Sequence, residues 1–267
     1  MVQKNKVRGC DSATFNKINV SAQICEKLQL PTTDLNVAVI RELRSRADCR
    51  KVAGWVLHER KAYRQVPIDP SHRKFSVIVF RHYVTGKLKF FVMVGHSFGL
   101  VAAVYNYNRR SAMVDEIMVK LFGMVSFNYY DDKYGFEFEE TASSAKKVAE
   151  FVHTILGAQF EEKKLQLGQH LEILGVAYDL ELYFLLIKEK RKEELSDEIR
   201  DIIRKDHLDP GQAGKLKGKL MFAASQLWGK VGRAFMLAIS ERQYMKWRGL
   251  PGDDALHLTP LSSSGLV

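Results

Sequence analysis

Two adjacent carboxylates, Asp131 and Asp132, stand between an aromatic-rich run from Met124 to Tyr130 and a second run from Tyr134 to Glu139. Extended runs on both sides of a short polar step read as a β-hairpin with the acids at its tip. Neighbouring aspartates repel each other, so a semi-buried pair needs cations, and a two-metal site for nucleotidyl transfer would supply them. The plain alternative is a solvated turn, because Asp is favoured in tight turns for its hydrogen bonds to local backbone. Taken alone, the turn is the commoner of the two.

Other chemistries find less support. His96, His153 and His170 lack the mutual spacing of metal ligands and read as surface or half-buried side chains. Ser97 and Ser126 have no evident His and acid partners, which argues against a hydrolase triad. No Gly-rich phosphate loop is present. Cys10, Cys25 and Cys49 are odd in number and widely spaced, so they fit neither a disulfide framework nor a Cys-rich zinc site.

A chain of 267 residues can bury a sizeable core as one large domain or two modest ones. Its 41 Lys and Arg against 31 Asp and Glu give a formal charge of +10, which suits a polyanionic partner without saying which. No window holds 18 uninterrupted apolar residues and the N-terminus lacks an apolar signal core, so the expectation is an intracellular protein, cytoplasmic or nuclear, with no membrane partner.

The elements that must position the acids follow from periodicity. Helical runs are expected at Ser21 to Leu28 and Asp34 to Arg46, the second presenting Leu35, Val39 and Leu43 on one face after an N-cap at Thr33 or Asp34. The unbroken apolar run Val52 to Leu57 predicts a strand buried on both faces. Phe75 to Phe80 and Leu88 to Val94 predict a hairpin turning at Thr85-Gly86. A helix ending at Gly123 should bury Val101, Val104, Tyr105, Met113, Ile117 and Leu121. A helix from Thr141 to Leu156 should bury Ala145, Val148, Ala149, Val152, Ile155 and Leu156, and Leu171 to Val176 returns to strand. Three charged or basic helices, near 195–203, 212–224 and 234–247, close the chain. The order predicts an α+β fold with helices packed on a mostly antiparallel sheet.

Several of these stretches together resemble the reverse transcriptase domain of retroelements. Tyr129-Tyr130-Asp131-Asp132 is similar to the aromatic-x-Asp-Asp signature of the catalytic hairpin, and Ala62-Tyr63-Arg64-Gln65-Val66-Pro67 to the end of the first palm motif. Phe98-Gly99-Leu100 resembles the opening of the template-gripping helix, and Leu174-Gly175 the primer-grip turn. Arg8-Gly9-Cys10-Asp11 with Asn19 resembles a finger motif, while Gly218 to Ala224 with Gly232-Arg233 is similar to the thumb side of tyrosine-recombinase retrotransposons. The resemblance covers residues 6 to 245 and implies partial fingers (1–50), a palm with the catalytic hairpin (51–187), a helical thumb or connection (188–250) and a flexible tail (251–267).

It also implies RNA-directed DNA polymerisation with template-primer, deoxynucleotides and two Mg2+ ions held by hard carboxylate oxygens, Asp131 and Asp132 among them. Further domains of a polyprotein would lie outside the chain. The implied nucleotide- or template-binding residues are Tyr63 as a steric gate, Gln65, Phe98, Gly99, Lys6, Arg8 and Lys164 or its neighbour Lys163. The pattern fails at one place: four residues before Ala62, where the family has aspartate, this chain has His58. An imidazole competes poorly for Mg2+ and favours a softer ion such as Mn2+, and Glu59 should point to the opposite face of the strand. The expectation is impaired polymerisation, with a noncatalytic remnant that only binds nucleic acid as the alternative.

Overall fold

The computed structural model describes residues 2–3, 6–7, 13, 17–48, 50–226 and 228–244. The finger-motif residues Arg8 to Asp11 and the tail 251–267 lie outside them. In chain order the elements are β1 (Val2–Gln3), β2 (Lys6–Val7), α1 (Thr33–Ser45), β3 (Val52–His58), α2 (Ala62–Gln65), β4 (Val77–Arg81), β5 (Leu88–Val92), α3 (Val101–Phe122), β6 (Phe127–Tyr129) and β7 (Asp132–Phe138). They continue with α4 (Glu139–Ile155), β8 (Gln166–Gly168), β9 (His170–Ile173), β10 (Val176–Asp179), β11 (Phe184–Ile187), α5 (Glu189–Lys205), α6 (Pro210–Gln226) and α7 (Leu237–Tyr244). The fold is α+β. No described helix is long and apolar enough to cross a membrane.

The chain divides into two compact units, one drawn from residues 1–31 and 42–174, the other from 32–41 and 175–267. The division at 174/175 groups the hairpin β10–β11 with the helical segment, whereas the expected palm ran on to 187. In the second unit, Ile202 of α5, Ala213 and Leu216 of α6 and Ile239 of α7 bury together around Leu208.

The first unit is organised by an antiparallel sheet in the order β6-β7-β3-β8. β3 is buried along Val52 to Leu57, as its apolar run requires. Trp55 and Leu57 point to the face covered by α3 and α4, where they meet Val114, Met118, Ala145 and Ala149. Trp55 fits because its register partner is Gly135: a Cβ there would stand 2.3 Å from the Val125 carbonyl oxygen and 2.6 Å from the indole ring.

Three helical expectations need correction, for one reason. α3 buries Ala103, Tyr107, Asn108, Ser111, Val114 and Met118, while Met113 and Leu121 are exposed. α4 buries Ala142, Ala145, Ala149 and His153, and leaves Ile155 and Leu156 exposed. α1 buries Thr33, Asn36 and Ile40, with Asn36 donating to the Tyr178 hydroxyl at 3.0 Å. The inward faces of α1 and α3 carry polar side chains that find hydrogen-bond partners and that of α4 carries small alanines and His153, so the most apolar stripe is not the buried one. Ser21 to Leu28 is not an α-helix either: a single 3-10 turn, Ile18–Ser21, gives way to irregular chain. Thr32, one residue before the expected cap, accepts from the Leu35 amide at 3.2 Å and starts α1.

Gly135→Ala should lower stability by about 1–3 kcal/mol, the usual cost of overpacking a filled core. Urea unfolding monitored by the fluorescence of Trp55 measures it, and an unchanged midpoint would mean that the strand yields around the added methyl group.

Candidate functional site

The β3–β7 register pairs His58 with Asp132. The turn between β6 and β7 is Tyr130-Asp131, with Tyr130 in the left-handed region at φ 53°, so Asp132 belongs to the strand and Asp131 to the turn. His58 Nδ1 lies 2.7 Å from Asp132 Oδ1, and its Nε2 lies 3.4 Å from Asp131 Oδ2 and 2.8 Å from Lys164 Nζ. One arrangement satisfies the shortest contacts: Nδ1–H donates to Asp132 while Nε2 accepts from Lys164. The hydrogen bond to Asp132 and the charge of Asp131 hold the His58 pKa above its ordinary 6.5, against burial and Lys164. Once protonated, Nε2–H turns its charge on Asp131.

These contacts test whether the residues fit a pair of magnesium ions. One oxygen of each aspartate faces His58, and Lys164 approaches the same Nε2 that faces Asp131. Among the described residues no group of three or more His, Cys, Asp or Glu is arranged to hold a metal. With an imidazole in the third position, the donor set differs from the all-carboxylate set that a pair of magnesium ions prefers.

Beside it, the Tyr63 ring meets Phe98 and Tyr107 edge-on, at centroid distances of 5.4 and 5.3 Å. Burial, with the charge of Asp131, pushes the Tyr63 hydroxyl up to about 12, so it stays neutral. Gly99 adopts φ 90° just before α3. Asn19 clamps that turn, donating to the Gly99 carbonyl at 2.8 Å and accepting from the Val101 amide at 3.0 Å. This is an N-cap supplied from 82 residues away. Gln65 faces no solvent-side ligand: its amide group bonds the Arg60 and Gln159 carbonyls and accepts from the Gln159 amide at 2.7 Å, a structural clamp. Lys6 lies in β2, Arg8 is outside the described residues, and Lys163 and Lys164 share a 3-10 turn.

The opposite face of the same two strands holds a feature that motif reading missed. Glu59 and Lys133 turn inward between sheet and helices, both side chains wholly buried. Lys133 Nζ donates to the Tyr107 hydroxyl and to Ser111 Oγ at 2.8 Å each, to Asn128 Oδ1, and to the Tyr130 carbonyl at 3.2 Å. Asn128 in turn donates to Asn108 at 3.0 Å. Glu59 accepts from Arg110 of α3 at 3.2 Å, and its carboxylate is 3.7 Å from Lys133 and from His153 of α4. The acidic turn is therefore bolted from behind to α3. Burial lowers the Lys133 pKa to about 8 although Glu59 opposes it, which leaves the ammonium charged at neutral pH.

His153 was expected at the surface or half-buried and is instead enclosed. Burial, with Lys133 and Arg110 nearby, lowers its pKa to about 3; the 3.7 Å approach to Glu59 is too long for a hydrogen bond that would reverse this. Asp115, half-buried and accepting from Ser126 at 2.7 Å, is pushed up to about 6 by desolvation. Strand alternation could have assigned Lys133 to the inner face, since it follows Asp132 directly. Nothing local marks Glu59, Arg110 and His153 as its neighbours.

No protein-family model and no curated protein sequence matches the chain. Among solved structures, the foamy viral protease-reverse transcriptase in complex with double-stranded DNA is similar at a TM-score of 0.57 and 14% sequence identity, over 94% of this chain and 39% of that one. The fold is reverse-transcriptase-like. The chain thus spans well under half of that neighbour, and at this identity the likeness speaks for the fold and not for its chemistry.

Lys133→Met should destabilise this palm by about 3–5 kcal/mol, because Glu59 is left as a less compensated buried charge. The double variant E59Q/K133M should recover part of that loss, and a urea double-mutant cycle reads the coupling. Two histidines also set opposite pH limbs. The His58 contribution, from a raised pKa, is present below pH 6.5 and lost as pH rises through the folded value. The His153 contribution, from a lowered pKa, is lost as pH falls from 6.5 towards about 3. Urea midpoints followed from about pH 3 to well above 6.5 should lose the slope above pH 6.5 in H58Q and the slope below it in H153Q.

Proposed function

We propose that this chain is a palm of reverse transcriptase type that holds a nucleic-acid duplex and whose nucleotidyl transfer is impaired at His58. The observation that carries this reading is the 2.7 Å contact between His58 Nδ1 and Asp132 Oδ1, at the position where the sequence resemblance expects a third carboxylate. In an active relative that carboxylate would share the cations with the acid pair. Here the side chain brings a hydrogen-bond donor and, when protonated, a positive charge.

Binding asks less of the site than catalysis. The reverse-transcriptase-like fold, the formal charge of +10 and the solved neighbour's complex with DNA favour a template-primer duplex as the partner. Lys164 is exposed and carries its charge at the rim of the acid pair, where it can meet a phosphate. Tyr63 and Phe98 form an aromatic corner suited to a sugar or base. A retroelement source close to tyrosine-recombinase retrotransposons rests on Gly218 to Ala224 in α6, and sequence flanking the gene would test it.

Primer extension on an RNA template, with Mg2+ or Mn2+ supplied, compares wild type with His58→Asp. The expected result is a gain of at least tenfold in the variant, and equal rates would remove His58 as the cause of impairment. Affinity for an RNA–DNA hybrid should be retained by wild type and fall steeply with rising salt, as phosphate contacts require. No binding at low salt would contradict the reading as a whole.

A further inference from the structure

The β4–β5 hairpin shows an uncovered apolar face. The two strands form a two-stranded sheet by themselves. Their register pairs Val77 with Val92, Val79 with Phe90 and Arg81 with Leu88, so these side chains share one face. Phe75 and Val94 stand next in line at the base, where the Met93 amide still donates to the Ser76 carbonyl at 2.8 Å. Beside Arg81 the face carries seven apolar side chains, Phe75, Val77, Val79, Leu88, Phe90, Val92 and Val94, all between 42% and 77% exposed.

The hairpin is nonetheless firmly rooted. The Ile68 amide donates to the Val94 carbonyl at 2.8 Å and Pro67 bridges Gly95, where a Cβ would stand 2.0 Å from the Arg64 carbonyl oxygen. On the other face, Phe80 stacks on Phe91 at 4.9 Å. A rooted ribbon with seven exposed apolar side chains along one face, and Phe80 and Phe91 exposed as a smaller pair on the other, is a docking surface, since two strands alone are marginal in water.

We infer that this face is the interface of a symmetric dimer formed with a second copy of the chain. The exposed area sums to roughly 700 Å2, taking about 150–200 Å2 for each fully exposed side chain. That exceeds the ~300–600 Å2 of the largest patch on a typical monomer and approaches the ~800 Å2 per partner of a standard interface. Basic side chains stand at both ends of the ribbon, Arg81 and Lys87 near the tip and Lys74 over the Phe75 ring at the base, so the attraction between two copies related by a twofold axis comes from the apolar stretch and their charges oppose it. A polyanion would instead leave the apolar stretch uncovered.

Sedimentation equilibrium of the full chain, free of nucleic acid, tests the dimer. Wild type should show the dimer mass at micromolar concentration, and the association should strengthen as salt screens the net charge of each copy. Phe90→Glu should lower the mass about twofold to that of a monomer, with an unchanged far-UV circular dichroism spectrum. Leu121→Glu, at an exposed apolar site on α3, should remain dimeric. If F90E does not fold, V79T/V92T keeps the β-branched shape and should weaken association on its own. A wild-type monomer at these concentrations, a dimer that dissolves in high salt, or a dimer that F90E leaves intact would each overturn the inference; a monomeric wild type would mean that another segment of the same chain or a different protein covers the face.

Discussion

Everything at the candidate site depends on the antiparallel ladder between β3 and β7, with His58 opposite Asp132. Side chains alternate across a strand, so this single register sorts four charged residues onto two faces. His58 and Asp132 emerge on the open side beside Asp131 and Lys164, while Glu59 and Lys133 enter the protein together. A shift by one residue would bury the acid pair and expose the inner ion pair. Gly135 beneath Trp55 helps to exclude that shift, because only a residue without a side chain leaves room for the indole at this level of the sheet.

The two faces solve the same electrostatic problem with different groups. Outside, the His58 imidazole faces both adjacent aspartates, and Lys164 approaches its Nε2. Inside, a buried ammonium tethers the backbone of the acidic turn and is balanced by Glu59, with Arg110 on the carboxylate's other side. A buried ion network of this kind adds little net stability compared with an apolar core but fixes geometry, since any member removed leaves an unpaired charge. The aromatic contacts carry that rigidity sideways: Tyr107 accepts from Lys133 and packs on Tyr63, which packs on Phe98. The acidic turn and the aromatic corner are thus parts of one rigid assembly.

Much of the fold was legible because its signals are local. The apolar run of β3, the turn at Gly86, the stop at Gly123 and the paired acids each announce themselves within a few residues. The inward faces of α1, α3 and α4 were not legible, because Asn36, Tyr107, Asn108 and Ser111 are buried through partners far away in sequence and His153 by the packing of α4 itself, and a search for apolar stripes passes over them. Asn19 shows the same limit: it was noticed as part of a motif, but its capping of α3 needs two loops brought together. Gln65 was legible as a motif residue and not as a clamp, since its partners at Gln159 lie on another element. At the site itself His58 stood out because the reverse-transcriptase resemblance implies an aspartate at that position; its contacts with both acids and with Lys164 were not legible.

The central proposal is that His58, facing one oxygen of each aspartate, weakens divalent-ion binding at Asp131 and Asp132. Manganese titration of the free protein, followed by the loss of the free-ion electron paramagnetic resonance signal, measures this without any turnover. The account predicts no saturable binding by wild type and clear binding once His58 is replaced by aspartate. Saturable binding of equal strength in both proteins would contradict it.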